Sequence, residues 1–146
     1  MAQIAENVSI REFIIERDYE TVFRLWQHAG EGIQLRLSDS FTEIQKKINR
    51  DPDLFLVAVA GGDIVGSVLA GFDGRRGMIY HLAIDTGYRR RGIASLLMDE
   101  IETRLRSRGC IKYYLLVTPE NEAALRFYQT RKNEIMDLFV LGKELT

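Results

Sequence analysis

The chain has one cysteine, two prolines and two histidines among its 146 residues. Cys110 alone closes no intrachain disulfide, and with His28 and His81 far apart in the chain it builds no structural zinc site, so no metal is expected. No apolar run approaches the roughly 18 residues of a membrane span, and residues 1–9 lack the basic-then-apolar order of a secretion signal. A soluble, cytoplasmic protein with no membrane partner is therefore expected. Neither sign of charge prevails: 20 Lys and Arg against 21 Asp and Glu leave a net charge of −1, which lends no support to nucleic acid as a partner. Also missing are a Gly-Lys-Ser/Thr triplet and a G-x-G-x-x-G following a strand, which removes the two commonest phosphate loops.

What is present is an ordinary globular balance, 46% hydrophobic and 28% charged, in a length that suits a single domain over 1–146. The spacing predicts a strand over 8–13, then a helix capped by Asp18 with Tyr19, Val22, Phe23 and Trp26 on one face and Gly30 as its stop. Ser40-Phe41-Thr42-Glu43 is a capping box that opens a second helix, ended by Asp51-Pro52. Apolar runs at 54–60, 64–72 and 78–84, separated by Gly61-Gly62-Asp63 and by Asp73-Gly74-Arg75-Arg76-Gly77, predict an antiparallel meander. A helix with Ile93, Leu96, Leu97, Ile101 and Leu105 on one face follows, then a strand over 111–117. Strand, helix and strand in that order make a right-handed parallel crossover, so the sheet is mixed. Thr118 and Pro119 begin a helix to about Arg131, and a last strand is expected over 137–145. Cys110 reads as a buried small hydrophobe, and Arg104, Arg106 and Arg108 as a solvated face paired with Glu100 and Glu102.

The segment Tyr88-Arg89-Arg90-Arg91-Gly92-Ile93-Ala94-Ser95 is the most informative. Helix N-termini carry unpaired N–H groups and partial positive charge, and proteins usually answer them with Asp or Glu. Here three arginines come first and no acid follows before Asp99. Such a terminus favours an external anion, and Gly92 and Ala94 clear the approach of a phosphate to the backbone.

Leu82-Ala83-Ile84-Asp85, Arg89-x-x-Gly92-x-Ala94 and Asn121-x-x-Ala124-x-x-Phe127-Tyr128, taken together, resemble the acetyl-CoA signature of the GNAT superfamily of N-acetyltransferases. The Asp73-Gly74-Arg75-Arg76-Gly77 hairpin and Arg108-Gly109-Cys110 are most similar to its small bacterial YpeA-like branch. The resemblance implies a mixed α/β (α+β) fold, a mostly antiparallel central sheet with one parallel crossover. It implies acetyl-CoA as cosubstrate. Leu82, Ala83 and Ile84 would bind the pantetheine arm, with a backbone N–H there polarising the thioester carbonyl. Arg89, Arg90, Arg91, Gly92, Ile93, Ala94 and Ser95 would form the pyrophosphate cradle, and Asn121 would hold the cofactor arm or the splayed strand. Tyr128, protonated at neutral pH, would be the general acid that gives a proton to the departing thiolate.

The general base stays open. Some relatives carry a carboxylate where this chain has Leu116, which leaves Tyr80 and His81, placed on opposite faces by strand alternation, Glu31, or water. Arg131-Lys132-Asn133 replaces the usual Leu-Gly-aromatic after Tyr128. The function implied is transfer of acetyl from acetyl-CoA to a primary amine in a ternary complex, with a non-catalytic CoA-binding module as the alternative. The acceptor, small molecule or protein, would lie between the 30–40 connection and the 72–77 hairpin, whose charges are mixed, and a homodimer is compatible with this reading.

Overall fold

Five apolar segments pair into one sheet in the spatial order of the chain: β1 (Val8–Glu12), β2 (Phe55–Ala60), β3 (Asp63–Phe72), β4 (Gly77–Ile84) and β5 (Tyr113–Leu115). The computed structural model describes residues 7–29, 33 and 35–146. Neighbours are antiparallel except β4 and β5, which are parallel. Gly61 and Gly62, with φ of 57° and 86°, supply the left-handed backbone that the β2–β3 hairpin needs. The chain divides into two units, Met1–Leu116 and Val117–Thr146.

In the first unit, helices α1 (Ile15–Gln27), α2 (Phe41–Arg50) and α3 (Ile93–Ser107) cover the sheet. β2 is apolar throughout because both of its faces are covered. Alternation sends Phe55, Val57 and Leu69 into a core with Phe13, Ile15, Val22 and Trp26 of the β1–α1 segment and Ile44 of α2. Phe13 and Trp26 stack on Phe55 with centroids 4.0 and 5.8 Å away. On the other face α3 buries Ile93, Leu97, Met98, Ile101 and Leu105, and Leu97 closes over Gly66, where an added Cβ would stand 3.1 Å from its Cδ1.

Several expectations are corrected. α1 starts three residues before Asp18; instead of capping from outside, the Asp18 carboxylate sits in the first turn and accepts the Ile14 N–H at 2.9 Å. Gly30 and Glu31 lie outside the described residues. Ser40 caps α2 as expected, accepting the Glu43 N–H. Arg104 and Arg108 do not merely line a solvated face: Arg104 reaches Glu12 as well as Glu100, and Arg108 bonds Asp51 at 2.9 Å and also Asp53. They fasten α3 to β1 and to the α2–β2 turn. Cys110 is buried as expected, with Gly77 bare because a Cβ there would meet its Sγ at 2.9 Å.

In the second unit, helix α4 is Glu122–Thr130 and its cap is Asn121, not Thr118. The Asn121 side chain accepts the Ala124 N–H at 3.1 Å, a bond that fixes the helix start three residues later. No strand forms over 137–145. A strand exists only where a neighbour completes its ladder, and the sheet's register includes none of these residues; Phe139 is 97% exposed.

Candidate active site

β4 and β5 pair over three positions, Gly77 with Tyr113, Met78 with Tyr114 and Ile79 with Leu115. β4 then continues to Ile84, bonded to β3 alone. From Tyr80 onward, alternate N–H and C=O groups on the far edge of β4 have no strand opposite them among the described residues. Leu82, Ala83 and Ile84, expected from the sequence to receive a cofactor arm, lie on this opened edge, with Ala83 buried and its neighbours half-buried.

The parting begins at a bulge. Leu69 pairs with His81 and Ala70 with Ile79, so Tyr80 is an extra residue in β4. A bulge puts two successive residues opposite one and breaks the simple alternation. Tyr80 and His81 consequently turn to the same face, that of α1 and α2, and not to opposite faces. Tyr80 lies over Gly71 beside Lys47 of α2: a Cβ on Gly71 would meet the Tyr80 ring at 3.1 Å and Lys47 Nζ at 3.3 Å. His81 packs edge-on against Trp26, with centroids 4.7 Å apart, and the Trp26 Nε1–H is itself fixed by Ser67 Oγ at 3.0 Å.

The partner of His81 is Asp39, a pairing that sequence reasoning missed. The His81 Nε2 lies 2.8 Å from Oδ1 of Asp39, in the 3₁₀ turn Leu37–Asp39 that leads into α2. Asp39 is buried; its Oδ2 accepts the Arg36 N–H at 3.0 Å, and its carbonyl accepts the Tyr19 hydroxyl at 2.8 Å. Burial first, and then the Asp39 charge, push the Tyr19 phenol above its ordinary pKa, so it stays a donor. A carboxylate can only accept, so in this contact Nε2 is the donor. No motif announces this pair: 42 residues separate its members, and only the packing of the 3₁₀ turn on β4 joins them.

At the end of β4 the Asp85 side chain accepts the Gly87 N–H in a tight turn, and the chain enters α3 through Arg90 and Gly92, both left-handed with φ of 64° and 79°. α3 has no side-chain cap and no acid in its first turn. No capping side chain and no first-turn acid therefore meets the donors of Ile93, Ala94 and Ser95. The arginines divide their work. Arg89 bonds the carbonyls of Ala29 and Ile84 and ties the end of α1 to that of β4, while Arg91 lies over the Tyr88 ring, 4.9 Å from its centroid.

In the second unit, Tyr128 is the buried residue of α4 and its ring meets that of Phe127 at 5.1 Å. The helix closes with Lys132 in a left-handed conformation, φ 71°, with Lys132 N–H on Gln129 and Asn133 N–H on Tyr128, each 3.0 Å. This is a Schellman cap built without glycine.

Residues 15–132 match the acetyltransferase (GNAT) family. An acetyltransferase of Pectobacterium atrosepticum is 41% identical over 128 residues, 88% of this chain and 89% of its own length. One from Sodalis glossinidius is 40% identical over 129 residues, with 88% and 89% covered. Among solved structures, Ard1 from Thermoplasma volcanium superposes with a TM-score of 0.75 at 27% identity, covering 86% of this chain and 81% of that one. The PaiA N-acetyltransferase of Thermoplasma acidophilum, solved with coenzyme A, gives 0.78 at 22% identity, covering 90% and 92%. With an uncapped helix start beside an opened strand edge, and relatives of this similarity over most of its length, the chain belongs to the GNAT family and is an acetyl-CoA-dependent acetyltransferase.

Proposed function

We propose that this enzyme passes the acetyl group to a primary amine by direct transfer in a ternary complex, with His81 as general base, Asp39 as its positioning residue and Tyr128 as general acid. The observation that carries the reading is the His81–Asp39 pair at the bulge where β4 leaves β5. The chain's own features fit acetyl-CoA: the uncapped start of α3 with Gly92 and Ala94 suits a pyrophosphate, and the opened edge at Leu82 to Ile84 suits an amide-bearing arm. Coenzyme A in the PaiA structure supports the same assignment. When bound, acetyl-CoA supplies an electrophilic thioester and a thiolate leaving group.

An amine is a cation near neutral pH, with a reference pKa of about 8 for an α-amine and 10.4 for lysine, and must lose a proton before it can attack. His81 Nδ1 takes that proton while Asp39 holds the ring in the productive tautomer and steadies the imidazolium that results. The N–C bond forms and the C–S bond breaks, the Tyr128 hydroxyl gives its proton to sulfur, and the second amine proton, shed as the amide forms, returns to the phenolate. Tyr80, with 55% of its surface exposed, is the alternative base on the same face, and His81 is preferred to it for its carboxylate partner.

The test is thiol release with an amine panel. His81→Gln is expected to lower kcat by about 100-fold or more at pH 7, and the deficit should shrink as pH rises and the amine loses its proton unaided. Asp39→Asn should show the same pH-dependent deficit in milder form. Tyr128→Phe should lower kcat with acetyl-CoA affinity nearly intact. A deficit in His81→Gln that does not change with pH would remove His81 from the role of base.

A further inference from the structure

On the α2 side of the sheet, the end of β4 remote from the start of α3 carries a cluster of cations that acetyl transfer as described above leaves without a task. Met78 of β4 pairs with Tyr114 of β5. Tyr113 points the other way, to Glu102 of α3, so Tyr114 shares the face of Tyr80. The Lys112 ammonium lies 5.2 Å from the centroid of the Tyr114 ring. The Gly77 N–H bonds the Lys112 carbonyl at 2.9 Å, which sets Arg76 beside Lys112; Arg76 first, and then the charge of Lys112, hold the Tyr114 phenol below its ordinary pKa. Arg50 reaches the same hairpin, bonding the Phe72 carbonyl at 2.9 Å.

The acids nearby are already engaged. Asp51 is taken by Lys47 at 2.5 Å and by Arg108 at 2.9 Å, and Asp73 Oδ1 accepts the backbone N–H groups of Arg75 and Arg76 at 2.7 and 2.8 Å. Among the described residues, neither Arg76 nor Lys112 has a carboxylate within ion-pair distance.

The surface between these cations is open, with Tyr80 and Leu116 at 55% and 59% exposure. It is not the pyrophosphate site. That site lies past Ile84, and a strand rises roughly 3.4 Å per residue, which puts it about 24 Å from Gly77. The same arithmetic places Met78 and its neighbour Tyr114 only about 10 Å along the strand from His81.

We infer that Arg76 and Lys112, beside the Tyr114 ring, bind an anionic side chain of the acceptor, and that the acceptor is an amine whose side chain or following residue carries a carboxylate within about 10 Å of the nitrogen. The inference rests on the acetyl-transfer reading and adds the substrate class to it. Two sources have this chemistry, a free acidic amino acid and the N-terminus of an acidic peptide.

The experiment compares kcat/KM at saturating acetyl-CoA for glutamate against glutamine, for a peptide beginning Ala-Glu against one beginning Ala-Gln, and for spermidine. One acid is expected to exceed its amide by about 10- to 100-fold, the worth of a charge-assisted bond; which pair discriminates tells the free amino acid from the peptide. The paired variant Arg76→Ala with Lys112→Ala should bring that ratio close to one, Arg76→Lys should restore part of it, and Arg76→Glu should turn the preference toward spermidine. Calorimetric titration of acetyl-CoA into each variant shows that it is folded. Amide acceptors used as well as their acids, or a ratio that survives the paired variant, would overturn the inference and leave acetyl transfer standing. A wild-type enzyme that binds acetyl-CoA and acetylates none of these amines, nor any other in a wider panel, would overturn both.

Discussion

Asp18 has 3% of its side chain exposed; it accepts from both terminal guanidinium nitrogens of Arg11, at 2.6 and 3.0 Å, and from the Ile14 N–H at 2.9 Å, and pairs with Arg17 at 3.5 Å. Burial alone would raise its pKa; the Arg11 hydrogen bond, the Ile14 bond and the neighbouring positive charges more than reverse this and hold it below the ordinary 3.8. A carboxylate with a lowered folded-state pKa stabilises the fold above its unfolded value, and that contribution is lost as pH falls through the folded one. Asp18→Asn should therefore cost about 2–3 kcal/mol at pH 7. In urea unfolding the gap from wild type should narrow below about pH 4 as the native carboxylate takes up its proton. Sequence reading found Asp18 and His81 as residues worth naming, but not their partners. Arg11 lies seven residues from Asp18, and Asp39 lies 42 from His81. Pairings of that kind belong to the packed fold and leave no mark in local spacing.

Elements bounded by backbone chemistry were legible, and those bounded by partners were not. The paired glycines of the β2–β3 turn, φ 57° and 86°, and Ser40 at the start of α2 each demand a conformation or a bond that one residue type supplies best. The bulge at Tyr80 is a property of how β3 and β4 align, and the absence of a strand over 137–145 is a property of what lies beside that segment; neither follows from a hydrophobic run. The end of α4 joins both kinds. Losing the customary glycine does not alter the cap, because Lys132 takes the left-handed position and both bonds of the motif form. An L side chain pays for that conformation with about 1–2 kcal/mol. Lys132→Gly, with its wider unfolded ensemble offsetting part of the gain, should raise stability by about 0.5–1 kcal/mol, read as a higher urea midpoint at unchanged m-value. A lower midpoint would mean that the lysine side chain contributes more than its backbone costs.

Across the whole molecule the two ends of β4 have different employments. At one end the strand passes through Asp85 into an uncapped helix; at the other it meets the cationic hairpin and β5, and the bulge with the His81–Asp39 pair lies between them. On the roles proposed above, the order along one strand is anion site, proton acceptor, anion site, which suits a reaction whose two substrates approach from opposite ends. The first of these sites can be measured without turnover. A ligand that binds only the folded chain stabilises it by RT ln(1 + [L]/Kd), about 2.7 kcal/mol at a hundredfold excess over Kd, so acetyl-CoA should raise the unfolding temperature by several degrees. Gly92→Glu should abolish that rise: it places an anion where the pyrophosphate would lie and forces a side chain onto a backbone with φ 79°. The same strain lowers the variant's own stability, so the quantity to compare is the ligand-induced shift, with and without acetyl-CoA, for each protein. A Gly92→Glu shift equal to that of wild type would place the pyrophosphate away from the start of α3, even if acetyl transfer were seen.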